Sequence, residues 1–216
     1  MVFSQAGKNQ SALHGMEIKY GEWIIMKCAP CTEKKCTKGK DCTDITAEVK
    51  AKYVGEDFKI LNVADVLIEN YYMQKTRIEE VLYFAKAMGY KKLGLAFCSG
   101  LREEAQIIDR ILAREFKVFS AICKVCGIDK KEFKLSTSPK DGRICCNPIG
   151  QADILNKKKT DLNIIVGLCL GHDILFTKHS KALVTTLVVK DRVLAHNPIG
   201  AVYSGFYRKK RFNLES

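Results

Sequence analysis

Two regimes of apolar spacing divide the chain near Gly89. Before it, apolar residues recur three and four positions apart, the period of a helix packed on one face. Asp44 to Lys52 reads as a short helix, and Val63, Val66, Leu67 and Tyr71 mark a second. A third is signalled at both ends. Thr76-Arg-Ile-Glu79 has the form of a capping box, in which Thr76 and Glu79 satisfy free amides reciprocally. Ile78, Val81, Leu82, Ala85 and Met88 form its apolar stripe, and Gly89 closes it.

After Gly89 the apolar residues come in short continuous blocks separated by amphipathic stretches. Leu93–Phe97, Val118–Ile122, Leu162–Leu168 and Leu183–Val189 read as buried strands. Arg102–Glu115, a helix from Asn147-Pro148 to about Lys158, and His172–His179 lie between them. Asn147 and Pro148 are the residue types that cap and start a helix. The stretch from Lys124 to Arg143 is a polar connection with room for one helical turn around Lys130–Phe133. Strand–helix alternation predicts an α/β fold, a mostly parallel sheet with right-handed crossovers and helices on both faces. An α+β fold with an antiparallel sheet is the competing arrangement. Asp191-Arg192 looks like a tight turn into Val193–His196, which would finish the sheet with an antiparallel hairpin.

The first 43 residues follow neither regime. Residues 1–15 are polar and aperiodic, a loose leader, and Trp23-Ile-Ile-Met26 could form a short strand. Cys28-Ala-Pro-Cys31-Thr-Glu-Lys-Lys-Cys36-Thr-Lys-Gly-Lys-Asp-Cys42 has almost no large apolar side chain. Such a stretch cannot bury itself, so something other than hydrophobic packing must order it. Its four thiols supply soft ligands for tetrahedral zinc or an iron–sulfur cluster. The spacing matches neither the usual paired zinc pattern nor the ferredoxin runs, so the metal stays open. We therefore expect two domains: a leader and metal-binding knot over residues 1–43, and an α/β domain over 44–216 whose helical lead-in covers 44–90.

Composition narrows the function classes. The chain has 216 residues, 47% of them hydrophobic, and no apolar run near the roughly 20 residues that span a bilayer. The N-terminus has no basic start followed by an apolar core, so no signal peptide is read there and a cytoplasmic setting is expected. Ten cysteines in that setting call for a role other than disulfides. The formal net charge of +12 would suit RNA binding, but its basic residues are scattered apart from Lys157–Lys159 and Arg208–Arg211. Phe97-Cys98-Ser-Gly100 lacks the spaced glycines of a dinucleotide site.

The remaining cysteines fall where a parallel sheet binds ligands. Cys98, Cys123, Cys126 and Cys169 each follow the end of a predicted strand, and Cys145 and Cys146 precede a helix N-terminus, where a thiol pKa falls. His172 and Asp173 open the helix after Cys169. Two readings follow. Cys98, Cys126, Cys146 and Cys169 could hold a second metal or cluster as cofactor, with His172 as a further ligand. Alternatively Cys98, Cys146 or Cys169 is a catalytic nucleophile or persulfide carrier, assisted by His172, acting on a small thiol or sulfur-containing substrate. Packing alone would account for Cys123 and Cys169 as small buried residues.

Cys28-x2-Cys31, Gly94-Leu-Ala-Phe-Cys98, Cys123-Lys-Val-Cys126-Gly, Cys146-Asn-Pro-Ile-Gly-Gln-Ala and Val166-Gly-Leu-Cys169-Leu-Gly-His172-Asp173 occur in one order along the chain. Together they resemble the uncharacterised prokaryotic metal-binding proteins of the domain of unknown function 1847 type, over roughly residues 25–207. The resemblance implies metal binding and a cytoplasmic setting in organisms that are often anaerobic. It implies no reaction and carries over no catalytic residue.

Overall fold

The computed structural model describes residues 28–135 and 142–214. The chain divides into two units, residues 1–52 and 53–216. The expected leader over 1–15 and the strand Trp23–Met26 lie outside the described residues.

In the first unit, a 3-10 turn at Lys35–Lys38 and helix α1 (Thr46–Lys52) are joined through Asp41. The Asp41 carboxylate accepts from the Thr43 amide and hydroxyl, both at 2.8 Å, and from the Asp44 and Thr46 amides at 3.0 Å. Those bonds, from Thr46 and then Thr43, hold its carboxyl well below the usual range. Among the described residues of this unit, 28–52, none is buried, and local hydrogen bonds and turns shape the segment.

The second unit opens with α2 (Gly55–Tyr71) and α3 (Arg77–Met88). The predicted capping box is formed: the Glu79 carboxylate accepts from the Thr76 amide at 2.8 Å and the Thr76 hydroxyl at 2.6 Å. Gly89 closes α3 with φ +81°, a conformation that only glycine adopts without cost. Then come β1 (Lys92–Phe97), α4 (Arg102–Leu112), β2 (Lys117–Ile122), α5 (Pro148–Lys158), β3 (Leu162–Val166), α6 (His172–His179), β4 (Leu183–Val188) and α7 (Ile199–Tyr203).

All four strands are parallel, in the order β2-β1-β3-β4. The α/β architecture expected from strand–helix alternation is therefore the one observed. Crossovers of one hand place helices on opposite faces when the chain reverses its direction across the sheet. From β1 the chain steps outward to β2 through α4, then back across β1 to β3 through α5 and on to β4 through α6. The core follows this split. Leu93, Leu95, Leu162, Ile164 and Val166 pack with Val81 and Ala85 of α3 and Ala105, Ile108 and Leu112 of α4. On the other face Ala96, Ala121 and Ile165 pack with Ala152 and Leu155 of α5 and Phe176 of α6.

One polar network lies inside that second face. Asn163 is fully buried, accepts from the Thr160 hydroxyl at 2.8 Å and donates to the Ser180 hydroxyl at 2.8 Å. Gly94 makes room for it: a Cβ there would lie 1.9 Å from Asn163 Oδ1.

The sequence reading fails at the last predicted strand. Residues Val193–His196 form no strand and no antiparallel hairpin; Asp191–His196 is a compact turn after β4. Asp191 Oδ1 accepts from the Val193 and Leu194 amides at 2.9 Å, and the Asp191 amide donates to His196 Nδ1 at 3.1 Å. An aspartate that binds amides two and three residues ahead competes with extended pairing, and here it wins. The strands themselves end about where expected, except that Gly167 and Leu168 leave β3 as a loop.

Candidate functional site

The strand order reverses between β1 and β3, and at such a switch point the loops beyond the strand ends diverge and leave a crevice. Cys98 follows β1 directly, and Gly167-Leu168-Cys169 follows β3. Backbone bonds tie four loops together there. The Cys98 amide donates to Val166 O at 3.2 Å, the Cys123 amide to Phe97 O at 2.9 Å, and the Asn147 amide to Cys123 O at 2.8 Å. The His172 and Asp173 amides donate to Cys169 O at 2.8 and 3.1 Å. Asn147 caps α5 by accepting from the Gly150 amide at 2.8 Å, which fixes Cys146 one residue before the helix.

Three thiols form a row across this edge, with Cys123 hydrogen-bonded to Cys98 on one side and to Cys146 on the other. The Cys123 sulfur also accepts from the Ser99 amide at 3.3 Å. The two ends of the row are driven apart. The hydrogen bond with Cys123, followed by burial, pushes the Cys98 thiol up to about 12. The hydrogen bond from Cys123, with the Lys124 ammonium nearby, pulls Cys146 down to about 6 against the opposing effect of burial. Cys98 thus keeps its proton at neutral pH, and Cys146 is a thiolate.

A fourth sulfur faces a cation. The Arg192 guanidinium donates to Cys169 Sγ at 3.0 Å, an interaction that holds its own pKa above the usual value. Cys98 and Cys146 act on Arg192 in the same sense. Lys124 is anchored by its ammonium to Ile144 O at 2.7 Å, and Lys190 acts on Cys98. The charged groups that act on Cys98 and Cys146 are lysines and other thiols.

Beneath the row, Gln151 is fully buried. Its Nε2 donates to Phe97 O at 3.2 Å and Ala121 O at 2.7 Å, carbonyls of the last residue of β1 and the last but one of β2. Its Oε1 has no hydrogen-bond partner among the described residues. A buried acceptor of this kind calls for a donor, from a thiol, a water or a ligand.

The structure brings Cys98, Cys146 and Cys169 to one rim and gives the central place to Cys123, a strand-end thiol that the sequence reading left out of its site residues. Cys126, expected to share that rim, is exposed on a turn with φ +69°. Cys145 is buried, and its amide donates to Ile128 O at 2.9 Å. His172 is the first residue of α6 and half-buried. Lys124, Lys190 and Arg192 were not singled out from sequence. In the knot, Cys28, Cys31, Cys36 and Cys42 are exposed, and the Cys42 thiol donates to Lys40 O at 3.8 Å. Among the described residues, no three Cys, His, Asp or Glu side chains are gathered as one ion would require.

A large cavity lies away from this chemistry. About 570 Å³ in volume, it sits between α2, α3 and the β3–β4 edge, lined mainly by Leu67, Ile68, Val81, Phe84, Leu162 and Leu183. Arg77 stands at it, bonded to Glu80 and to Thr185 at 3.1 Å each. The thiols with displaced pKa values lie at the rim and not at this cavity.

Residues 36–187 match a family model described as a protein of unknown function, DUF1847. The chain belongs to this family. An uncharacterized protein of Methanocaldococcus jannaschii is 55% identical over 188 residues, covering 86% of this chain and 97% of the relative. No solved structure matches the chain. The match to the DUF1847 model takes in every thiol from Cys36 to Cys169, while Cys28, Cys31, Lys190 and Arg192 lie outside the matched span. No helix among the described residues is long and apolar enough to cross a membrane.

Proposed function

We propose that this DUF1847 protein runs a thiol-dependent redox reaction on a sulfur–sulfur bond, with Cys146 as the attacking thiolate. The observation that carries the reading is the row Cys98–Cys123–Cys146 at the switch point of the sheet. A thiolate, not a thiol, is the nucleophile, and Cys146 has both a donor in Cys123 and a cation in Lys124 to hold it in that form. Cys146 Sγ attacks one sulfur of the substrate, the S–S bond breaks, and its electron pair leaves on the other sulfur as a thiolate. Cys123 then gives up its proton to that thiolate and attacks Cys146 Sγ. The substrate's remaining sulfur departs with the second electron pair. Two electrons have passed from Cys123 and Cys146 to the substrate, and the protein is left with a Cys123–Cys146 disulfide. Cys98 stays protonated and keeps Cys123 aligned. A nucleophilic thiol that must stay reduced suits a reducing compartment such as the cytoplasmic setting expected from the sequence.

Timed alkylation with mass mapping tests this. Cys146 should react first with a half-point near pH 6, and mild oxidation should join it to Cys123. Alkylation of all ten thiols at one slow rate would sink the reading.

A second reading concerns the knot, and the observation behind it is the absence of any buried residue in 28–52. Four thiolates are the donor chemistry of zinc or iron–sulfur sites, although their sulfurs are not gathered here. On this reading a metal orders the segment. Metal analysis and an absorption spectrum of anaerobically purified protein decide it, with visible absorption marking iron–sulfur. Metal-free protein with four titratable knot thiols would reject it.

A further inference from the structure

The thiols of the rim have cationic neighbours that lack carboxylate partners. None of Lys124, Lys190 and Arg192 forms an ion pair with a carboxylate among the described residues. Of the acids around the rim, Asp191 caps its own turn and Asp173 Oδ1 accepts from the Ile174 amide at 2.8 Å. Glu103 and Glu104 open α4 beside Gly100 without an ion pair to Lys190 among the described residues. With thiol sulfurs and no paired carboxylate beside them, these cations can also attract an anion that enters the crevice.

Lys190 is the most deliberately placed of the three. Its stem passes over Gly167, where a Cβ would lie 3.6 Å from Lys190 Cδ. Its ammonium reaches Gly100, where a Cβ would lie 3.5 Å from Lys190 Nζ. Gly167 follows β3 and Gly100 follows β1, so the side chain lies across the switch-point crevice with its charge toward Cys98. Gly167 is also forced by packing, because a Cβ there would meet Leu101 Cδ1 at 2.0 Å, and its φ is +62°. A lysine stem laid over two glycine turns keeps its methylenes covered and its charge free for a ligand.

We propose that the rim binds a small anionic sulfur electrophile, a disulfide or sulfane-sulfur compound whose negative group is held by Lys190 and Arg192 beside Cys146. This rests on the thiol reading above and adds the charge class of the substrate. In the step it implies, Cys146 Sγ forms a bond to the nearer substrate sulfur, the substrate S–S bond breaks, and the leaving thiolate stays against the cations. The substrate is itself the oxidant, so no further co-reactant enters this step.

Two aromatic disulfides separate the cases: dianionic 5,5′-dithiobis(2-nitrobenzoate) and neutral 4,4′-dithiodipyridine. Stopped-flow rates with full-length protein should give an anionic-to-neutral ratio that falls roughly tenfold in Lys190→Gln and is retained in Lys190→Arg. Added salt should depress the anionic rate selectively, since the attraction is screened. Rapid reaction of Cys146 with both probes, at a ratio indifferent to salt and to Lys190→Gln, overturns the anion proposal and leaves the thiol reading standing. Slow reaction with both probes overturns the two together.

Discussion

The two cysteine-rich regions of this chain are ordered by different means. Residues 28–42 place four thiols in one short segment with no buried residue and every sulfur exposed. The sheet edge takes its four, Cys98, Cys123, Cys146 and Cys169, from separate loops and holds them with backbone bonds between those loops. Sequence clustering marks the first region and conceals the second. Close spacing along the chain gives a ligand set to a metal, whereas chemistry that needs unequal thiols draws on different environments. Burial and neighbours can shift one thiol up and another down only where a fold supplies both. The rim has that contrast, between Cys98 and Cys146.

The largest expected effect separates the regions by reactivity. With a pKa near 6, Cys146 is about a quarter ionised at roughly pH 5.5, where an ordinary thiol is about 0.1% ionised. Lower basicity costs about tenfold in intrinsic nucleophilicity. The net advantage is therefore about tenfold or more at pH 5.5 and vanishes near pH 7.5. Cys146→Ser should abolish the fast acid-range phase of alkylation, and Cys36→Ser should leave it intact. A fast phase that disappears with Cys36→Ser instead would reverse the assignment of the two regions.

Packing gives the next contrast. Gly167→Ala puts a Cβ 2.0 Å from Leu101 Cδ1 at φ +62°, and should cost about 2–4 kcal/mol in the unfolding of the α/β unit. Gly39→Ala meets nothing within 4 Å at φ +87°, so only backbone strain of about 1 kcal/mol is expected. Denaturant unfolding of both variants measures the gap. Asn147→Ala should cost about 1 kcal/mol, because it removes the α5 cap that fixes Cys146.

How far the sequence foresaw this differs by element. The α3 capping box, the helical turn at Lys130–Phe133 and the four strands were legible because each signal is local: a cap three residues wide, or an apolar block. Cys98, Cys146 and Cys169 were placed at the rim through their positions after strands or before a helix. Cys123 was in view as a strand-end thiol with packing as its alternative, since its role depends on strand order, which brings it to sulfurs 25 residues before and 23 after it. Arg192 gave no signal. Its turn looked like the start of a hairpin, and only the Asp191 cap sends its side chain to Cys169.

The smallest expected effect tests the internal logic of the rim. Cys123 is the first cause of the low Cys146 pKa, and Lys124 contributes after it. Cys123→Ala removes the donor, so the half-point for Cys146 alkylation should move up toward that of an ordinary thiol. Lys124→Gln removes only the ammonium and should move it in the same direction by less. Stability should follow with a determined sign. A thiol whose folded pKa lies below its unfolded one stabilises the fold above the unfolded value and loses that contribution as pH falls through the folded one. For Cys146 the loss runs from about 9 down through about 6, and Cys146→Ser should remove it from the pH dependence of the melting temperature. If Lys124→Gln shifts the half-point further than Cys123→Ala, the charge and not the thiol row sets the nucleophile, and Cys123 reverts to a packing residue.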